Sequence, residues 1–157
     1  MQRITPFLWF NNQAEEAAKF YISIFKNSKI NAMPRYGDTG PGPKGTVMTV
    51  EFTLDGQKYI ALNGGPQFKF TEAISLTINC ETQAEVDYYW EKLSEGGEKG
   101  MCGWLKDKYG LSWQVTPVQL TQMYVNGPQE NADRVMEAMM QMKKLDIAEL
   151  EKAYEGR

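Results

Sequence analysis

The sequence predicts an α+β fold made by duplicating a strand, helix and strands unit and ending in a helical tail. Three observations carry this expectation. Residues 4–21 are echoed at an offset of 70 by residues 74–90, with Ile4-Thr5-Pro6-Phe7-Leu8-Trp9-Phe10 leading to Asn12-Gln13-Ala14-Glu15 and Ile74-Ser75-Leu76-Thr77-Ile78-Asn79-Cys80 leading to Thr82-Gln83-Ala84-Glu85. Self-similarity at a fixed period marks repeated structural units. Residues 47–63 alternate in polarity around Asp55-Gly56, the two-residue turn signal of a β-hairpin. After Pro117 the echo stops and apolar residues recur at helical spacing.

In chain order, residues 5–10 read as a strand, and Asn12 as the N-cap of a helix with Glu15 three residues on, the spacing of a capping box. Ala14, Ala17, Ala18, Tyr21, Ile22 and Phe25 lie on one face of that helix, which Asn27-Ser28 should end. Residues 28–35 resume extended chain. The glycine- and proline-rich stretch 37–45 has no regular structure and reads as a mobile loop, a natural lid. The hairpin 47–63 follows. In the second copy Thr82 and Glu85 repeat the capping spacing, the helix runs to about Leu93, and residues 102–105 and 111–117 pair as strands around Lys106-Asp107-Lys108-Tyr109-Gly110. Beyond them, 118–124 reads as a turn or short helix. Pro128 opens a helix carrying Ala132, Val135, Met136, Met139 and Met140, and 147–154 forms another. The methionines at 136, 139, 140 and 142 suit core packing, a dimer seam or a ligand surface.

Composition bounds the function. With 42% hydrophobic and 24% charged residues the 157-residue chain is of ordinary globular type, and a unit of about 70 residues alone would bury only a thin core, so one shared domain spanning 1–157 is expected. No apolar run reaches the roughly 20 residues of a membrane span. The first residues lack a signal peptide's apolar core and cleavage region, which favours a cytoplasmic location. A net charge of −3 with scattered cations, Lys106, Lys108, Lys143 and Lys144 among them, argues against nucleic acid. Cys80 and Cys102 lack Cys-x-x-Cys spacing and read as buried free thiols.

The chain has no histidine. Ser-His-Asp and Cys-His nucleophiles and every His-based zinc or iron site are thereby excluded. No phosphate loop, dinucleotide fingerprint or EF-hand appears, and Glu15-Glu16 suits the positive end of a helix better than a metal. The polar residues of interest are Thr5, Glu51, Asn63, Ser75 and Gln114, bordered by Trp9, Trp104 and Trp113. Polar groups buried among aromatic ones need a hydrogen-bond partner, which a core neighbour, water or a ligand supplies.

Residues 102–117, Cys-Gly-Trp-Leu-Lys-Asp-Lys-Tyr-Gly-Leu-Ser-Trp-Gln-Val-Thr-Pro, together with residues 4–10, Leu62-Asn63-Gly64-Gly65-Pro66 and 78–83, resemble the PhnB-like proteins labelled 3-demethylubiquinone-9 3-methyltransferase. These belong to the glyoxalase/bleomycin-resistance/dioxygenase, or vicinal oxygen chelate, superfamily. The resemblance implies two βαβββ modules, here 1–66 and 71–117, forming a curved mixed sheet around a cleft, with the helical extension 118–157 outside them and a homodimer as the usual assembly. It also implies where metal-dependent members place their ligands: near Thr5, Ser75 and Gln114. None of these is an imidazole or a carboxylate, so no metal and no other cofactor is expected. S-adenosylmethionine enzymes usually carry a glycine-rich turn on a doubly wound sheet, which is absent here.

Three functions follow as expectations. The first is a metal-independent binding protein for an aromatic or apolar small molecule, with Thr5, Trp9, Glu51, Asn63, Ser75, Trp104, Trp113 and Gln114 lining the cleft. The second is an enzyme, either the labelled methyltransferase or an isomerase or lyase using a carboxylate such as Glu51 as base. The third is a structural or regulatory homodimer without a small ligand.

Overall fold

The computed structural model describes all 157 residues, which form two compact units, 1–70 and 71–157. In the first unit β1 (Phe7–Phe10) leads to α1 (Ala14–Ile24), β2 (Lys29–Ala32), β3 (Thr49–Leu54) and β4 (Gln57–Asn63). In the second, β5 (Ser75–Cys80) leads to α2 (Gln83–Ser94), β6 (Glu98–Lys99), β7 (Trp104–Lys106) and β8 (Ser112–Pro117). Three further helices follow: α3 (Val118–Val125), α4 (Gln129–Met139) and α5 (Ile147–Glu155). The strands form two four-stranded sheets with orders β1-β4-β3-β2 and β5-β8-β7-β6. Each sheet pairs its first and last strands in parallel and the rest antiparallel. The duplication is therefore one of topology, and the chain has an α+β fold of two βαβββ modules with a helical tail.

Alternation along each strand sends one set of side chains to the helix and the other to the opposite face. In the first unit Leu8, Phe10, Val50, Phe52, Leu54 and Ala61 are buried with Ala14, Ala17, Ala18 and Tyr21 of α1. The alanines let the helix backbone approach the sheet, and Tyr21, Phe52 and Tyr59 stack in sequence with ring centroids 6.2 and 5.6 Å apart. The turn between β3 and β4 has φ 47° at Asp55 and 81° at Gly56, the two positive values of a type I′ turn.

The cap of α1 differs from the sequence expectation. Gln13, not Asn12, holds the N-cap position, and no side chain there accepts a bond. The acceptor comes from the end of β4: Asn63 Oδ1 takes the Ala14 N–H at 2.8 Å, while Asn63 Nδ2 donates to the Val47 carbonyl at 3.1 Å. Helix α2 follows the local rule, Thr82 Oγ1 accepting from Glu85 N at 3.2 Å and the Glu85 carboxylate accepting from Glu81 N at 2.9 Å. Chain 28–35 is only partly strand: β2 ends at Ala32 after a register break, and Arg35 forms an isolated bridge with Val47.

In the second unit the turn between β7 and β8 is organised by one buried carboxylate. Asp107, 3% exposed, accepts from Tyr109 N at 2.9 Å and Leu111 N at 3.1 Å on Oδ1, and from Trp113 Nε1 at 2.9 Å on Oδ2. The tail helices enclose Leu120, Met123, Val135, Leu145 and Leu150, with Met139 and Met142 partly buried against them. Met136 and Met140 are exposed, so the methionine group divides between packing and surface. Gln83 fastens the tail to the start of α2: Nε2 donates to the Leu145 carbonyl at 3.1 Å and Oε1 accepts from Ile147 N at 2.8 Å. No helix is long and apolar enough to cross a membrane.

Candidate functional site

Alternation within each strand and the register across each sheet assign the residues to faces. In the first unit Thr5 precedes β1 and shares its parity with Phe7 and Trp9 on the side turned away from α1. Glu51 is exposed on that side, opposite Ile60. Trp9 is half-buried, edge-on to Phe68 at 4.9 Å, and its Nε1 donates to the Gly65 carbonyl at 2.9 Å. Thr5 Oγ1 receives the Gln2 amide at 3.5 Å. This face sets Phe7, Trp9, Ile60 and Leu62 beside Thr49, Thr53 and Lys58, with Glu51 as its carboxylate. Asn63 does not belong to it; its amide is committed to the cap of α1 and to Val47, and it lies at the loop end of the sheet.

The second unit carries the corresponding polar face. Gln114 Nε2 donates to Ser75 Oγ at 2.9 Å, and Trp104, directly opposite Gln114 in the β7–β8 register, is half-buried beside it. Directly opposed residues share a face and touch. Ser112, two positions before Gln114, opposes both Ser75 and Lys106. Its hydroxyl is buried without a hydrogen-bond partner, whereas most buried polar side chains have one. Sequence reasoning passed over Ser112; alternation from Gln114 would have found it. Lys106 pairs with Glu72, whose bond and charge hold the lysine pKa above and the carboxyl pKa below their ordinary values.

Trp113 is placed otherwise than expected. Adjacent strand residues point to opposite faces, and Trp113, 2% exposed, lies with Leu105 and Val115 on the helix side, its indole tied to Asp107. It is a core residue of the motif and not a neighbour of Gln114 on the polar face. Both cysteines are free. Burial, aided by the nearby Glu85 charge, pushes the Cys80 thiol up to about 12, so it stays protonated near neutral pH.

Thr5, Ser75 and Gln114, the positions implied as metal ligands, do not fit a divalent cation. They provide two hydroxyls and an amide already bonded to one of them, with no charged donor. Nor does any group of three Cys, Asp or Glu side chains assemble elsewhere.

Two βαβββ modules of this order are the fold that the resemblance to the glyoxalase/bleomycin-resistance/dioxygenase superfamily implies. The chain belongs to the family described as 3-demethylubiquinone-9 3-methyltransferase, whose model matches residues 2–116. A putative 3-demethylubiquinone-9 3-methyltransferase, PhnB protein, from Bacillus cereus is 43% identical, with a TM-score of 0.68 over 74% of this chain and 100% of its own. A protein of Pseudomonas aeruginosa shares the fold at 22% identity and TM-score 0.63, over 74% of this chain and 98% of its own. A protein of Staphylococcus aureus is 35% identical over 73% of this chain and 94% of its own, with a TM-score of 0.34. Among curated proteins none matches the chain. The helical tail lies beyond the family match, and about a quarter of this chain has no counterpart in the Bacillus cereus protein.

Proposed function

We propose that this chain is a metal-independent small-molecule binding protein whose ligand is aromatic or apolar with a hydrogen-bonding group. The observation that carries the proposal is the bond from Gln114 to Ser75 beside Trp104. An amide and two hydroxyls next to an indole suit a planar ligand, one edge hydrogen-bonded and one face stacked. The aromatic side chains of Trp9 and Phe7, beside Thr5 and Glu51, support the same kind of ligand in the first unit. We further propose a homodimer in the cytoplasm as its working form.

Tryptophan fluorescence and calorimetry with a panel of planar aromatic compounds test the proposal. Saturable binding that Trp104→Ala weakens by about tenfold or more supports it, and a flat response to the whole panel removes it. Elemental analysis completes the test. Gln114→Ala is expected to cost about 1 kcal/mol of stability and to leave metal content unchanged; a tightly held zinc, nickel, iron or manganese ion lost in that variant would overturn the metal-independent reading.

The family description supplies a second reading, methyl transfer. Glu51, exposed on the Trp9 face, would then orient or deprotonate the acceptor hydroxyl. Equilibrium dialysis against labelled S-adenosylmethionine decides it: no binding at millimolar cofactor ends the methyltransferase reading and leaves the binding protein standing.

A further inference from the structure

The first unit holds a cavity of about 650 Å³ between the start of α1 and the loop 35–47, a volume typical of small-molecule sites. Thr5, Trp9 and Glu51 do not line it, although the Trp9 ring backs the wall at Gly64 and Gly65. Its frame is built from short hydrogen bonds. Tyr36, 7% exposed, forms part of the lining; its hydroxyl donates to the Asn63 carbonyl at 2.7 Å, and its backbone pairs with Thr46 and Gly45 at 2.8 Å each. Gly42 lies against that ring, where a Cβ would come within 2.2 Å of it. On the other side the Trp9 indole fixes the Gly65 carbonyl.

Two opposite charges line this cavity. Arg35 is anchored by its own bond, Nη1 to the Gly45 carbonyl at 2.9 Å. Glu15 takes Lys19 at 2.6 Å, one turn further along α1. Glu15 and Arg35 make no ion pair with each other, although they are close enough to feel one another: the Glu15 carboxyl is held below its ordinary pKa by the Lys19 hydrogen bond and charge, and in smaller part by the Arg35 charge. A simple anion in the cavity would gain Arg35 and meet Glu15, and a simple cation the reverse. A molecule carrying both charges satisfies both at once, and a guanidinium is the side chain best shaped to grip a carboxylate.

We propose that this cavity binds a free α-amino acid, its ammonium group at the Glu15 carboxylate and its carboxylate at the Arg35 guanidinium, with Asn11, Asn12 and Gln67 available to its remaining polar atoms. The cavity lining contains both charges on separate elements and four side-chain amides, of which that of Asn63 is committed to Ala14 and Val47; among Pro41, Pro43, Pro66 and Val47 it is the pair of opposite charges that selects a small zwitterion. This proposal and the one carried by Gln114, Ser75 and Trp104 rest on different residues, and either stands without the other.

The test is amide NMR and calorimetry on the intact chain with each standard amino acid, followed by the N-acetyl and C-terminal amide forms of the best binder. Saturable shifts at Gly42, Gly64 and Gly65 below about 10 mM are expected. Blocking either end is expected to weaken binding by roughly tenfold or more, as are Arg35→Met and Glu15→Gln. Both side chains are at the surface, and thermal unfolding of each variant verifies that it is folded. No saturable shift at these glycines from any amino acid overturns the proposal. Equal binding of the blocked and free forms overturns the charge assignment, and shifts centred on Trp104 and Gln114 overturn the location.

Discussion

The two modules have the same strand order, yet they secure equivalent features by different devices. In the first, the helix is capped by Asn63 from the far end of the sheet, and the hairpin closes through the two-residue turn Asp55-Gly56. In the second, the helix is capped by its own Thr82, and the hairpin closes around the buried Asp107 carboxylate. Duplication has kept topology and face parity and let the local chemistry diverge. The divergence predicts where each module is fragile: the first at the junction of α1 with β4, the second at the β7–β8 turn.

The largest effect is expected from Asp107→Ala. It leaves the Trp113 indole N–H and two backbone N–H groups without their acceptor in a buried setting, and each hydrogen bond to a charged group is worth roughly 1.5–3 kcal/mol. Partial relaxation brings the expected loss to about 3 kcal/mol or more, measured by urea unfolding. Asp55→Ala, in the exposed turn of the first module, should cost about 1 kcal/mol through its positive φ. Similar losses for both would show that the Asp107 carboxylate is no more than a turn residue.

The caps give an intermediate effect and a direct contrast. Asn63→Ala removes the acceptor for Ala14 N and the donor to the Val47 carbonyl together, so it should cost about 2 kcal/mol, whereas Thr82→Ala removes one exposed cap at about 1 kcal/mol. Hydrogen exchange locates the damage. Asn63→Ala should speed exchange at the start of α1 and also in the chain around Val47, while Thr82→Ala should affect only the first turn of α2. Damage confined to one element in both variants would contradict the long-range cap.

This contrast also explains what the sequence could and could not disclose. Thr82 and Glu85 lie three residues apart, so the cap of α2 is written in a local pattern. The cap of α1 joins residues 49 apart, and only the fold brings them together; the local pattern pointed instead to Asn12, which is exposed. The 70-residue echo made the module topology legible because strand and helix periods survive substitution. Gln114 and Trp104 were legible as neighbours through strand pairing, but Trp113 was grouped with them by chain proximity, against the alternation that turns it to the core. The cavity beside Arg35 depends on a glycine- and proline-rich loop whose path has no periodicity to read. That loop is held through Tyr36, a single aromatic anchor with no sequence signature of its own.

The smallest effect concerns the tail, which only the second module carries. Asp87 on α2 accepts from Gln83 at 3.0 Å and pairs with Lys144 at 2.9 Å. These hold its carboxyl below its ordinary value of 3.8, the Gln83 bond being the larger cause and Lys144 the next. A carboxyl depressed in the folded state contributes stability that is fully present above its unfolded value and is lost as pH falls through the folded one. Both side chains of the pair are more than a third exposed, so solvent screening limits the contribution to about 0.5 kcal/mol. Asp87→Asn should therefore unfold at a slightly lower temperature than the parent, by an amount that stays constant from neutral pH down to weakly acidic pH and closes only below 3.8. Added salt should narrow the same gap at neutral pH. A gap that widens on acidification, or one indifferent to both pH and salt, would mean that Asp87 serves the tail through packing rather than through its charge. The Gln83 bonds to Leu145 and Ile147 would then be what fastens the tail to the second module.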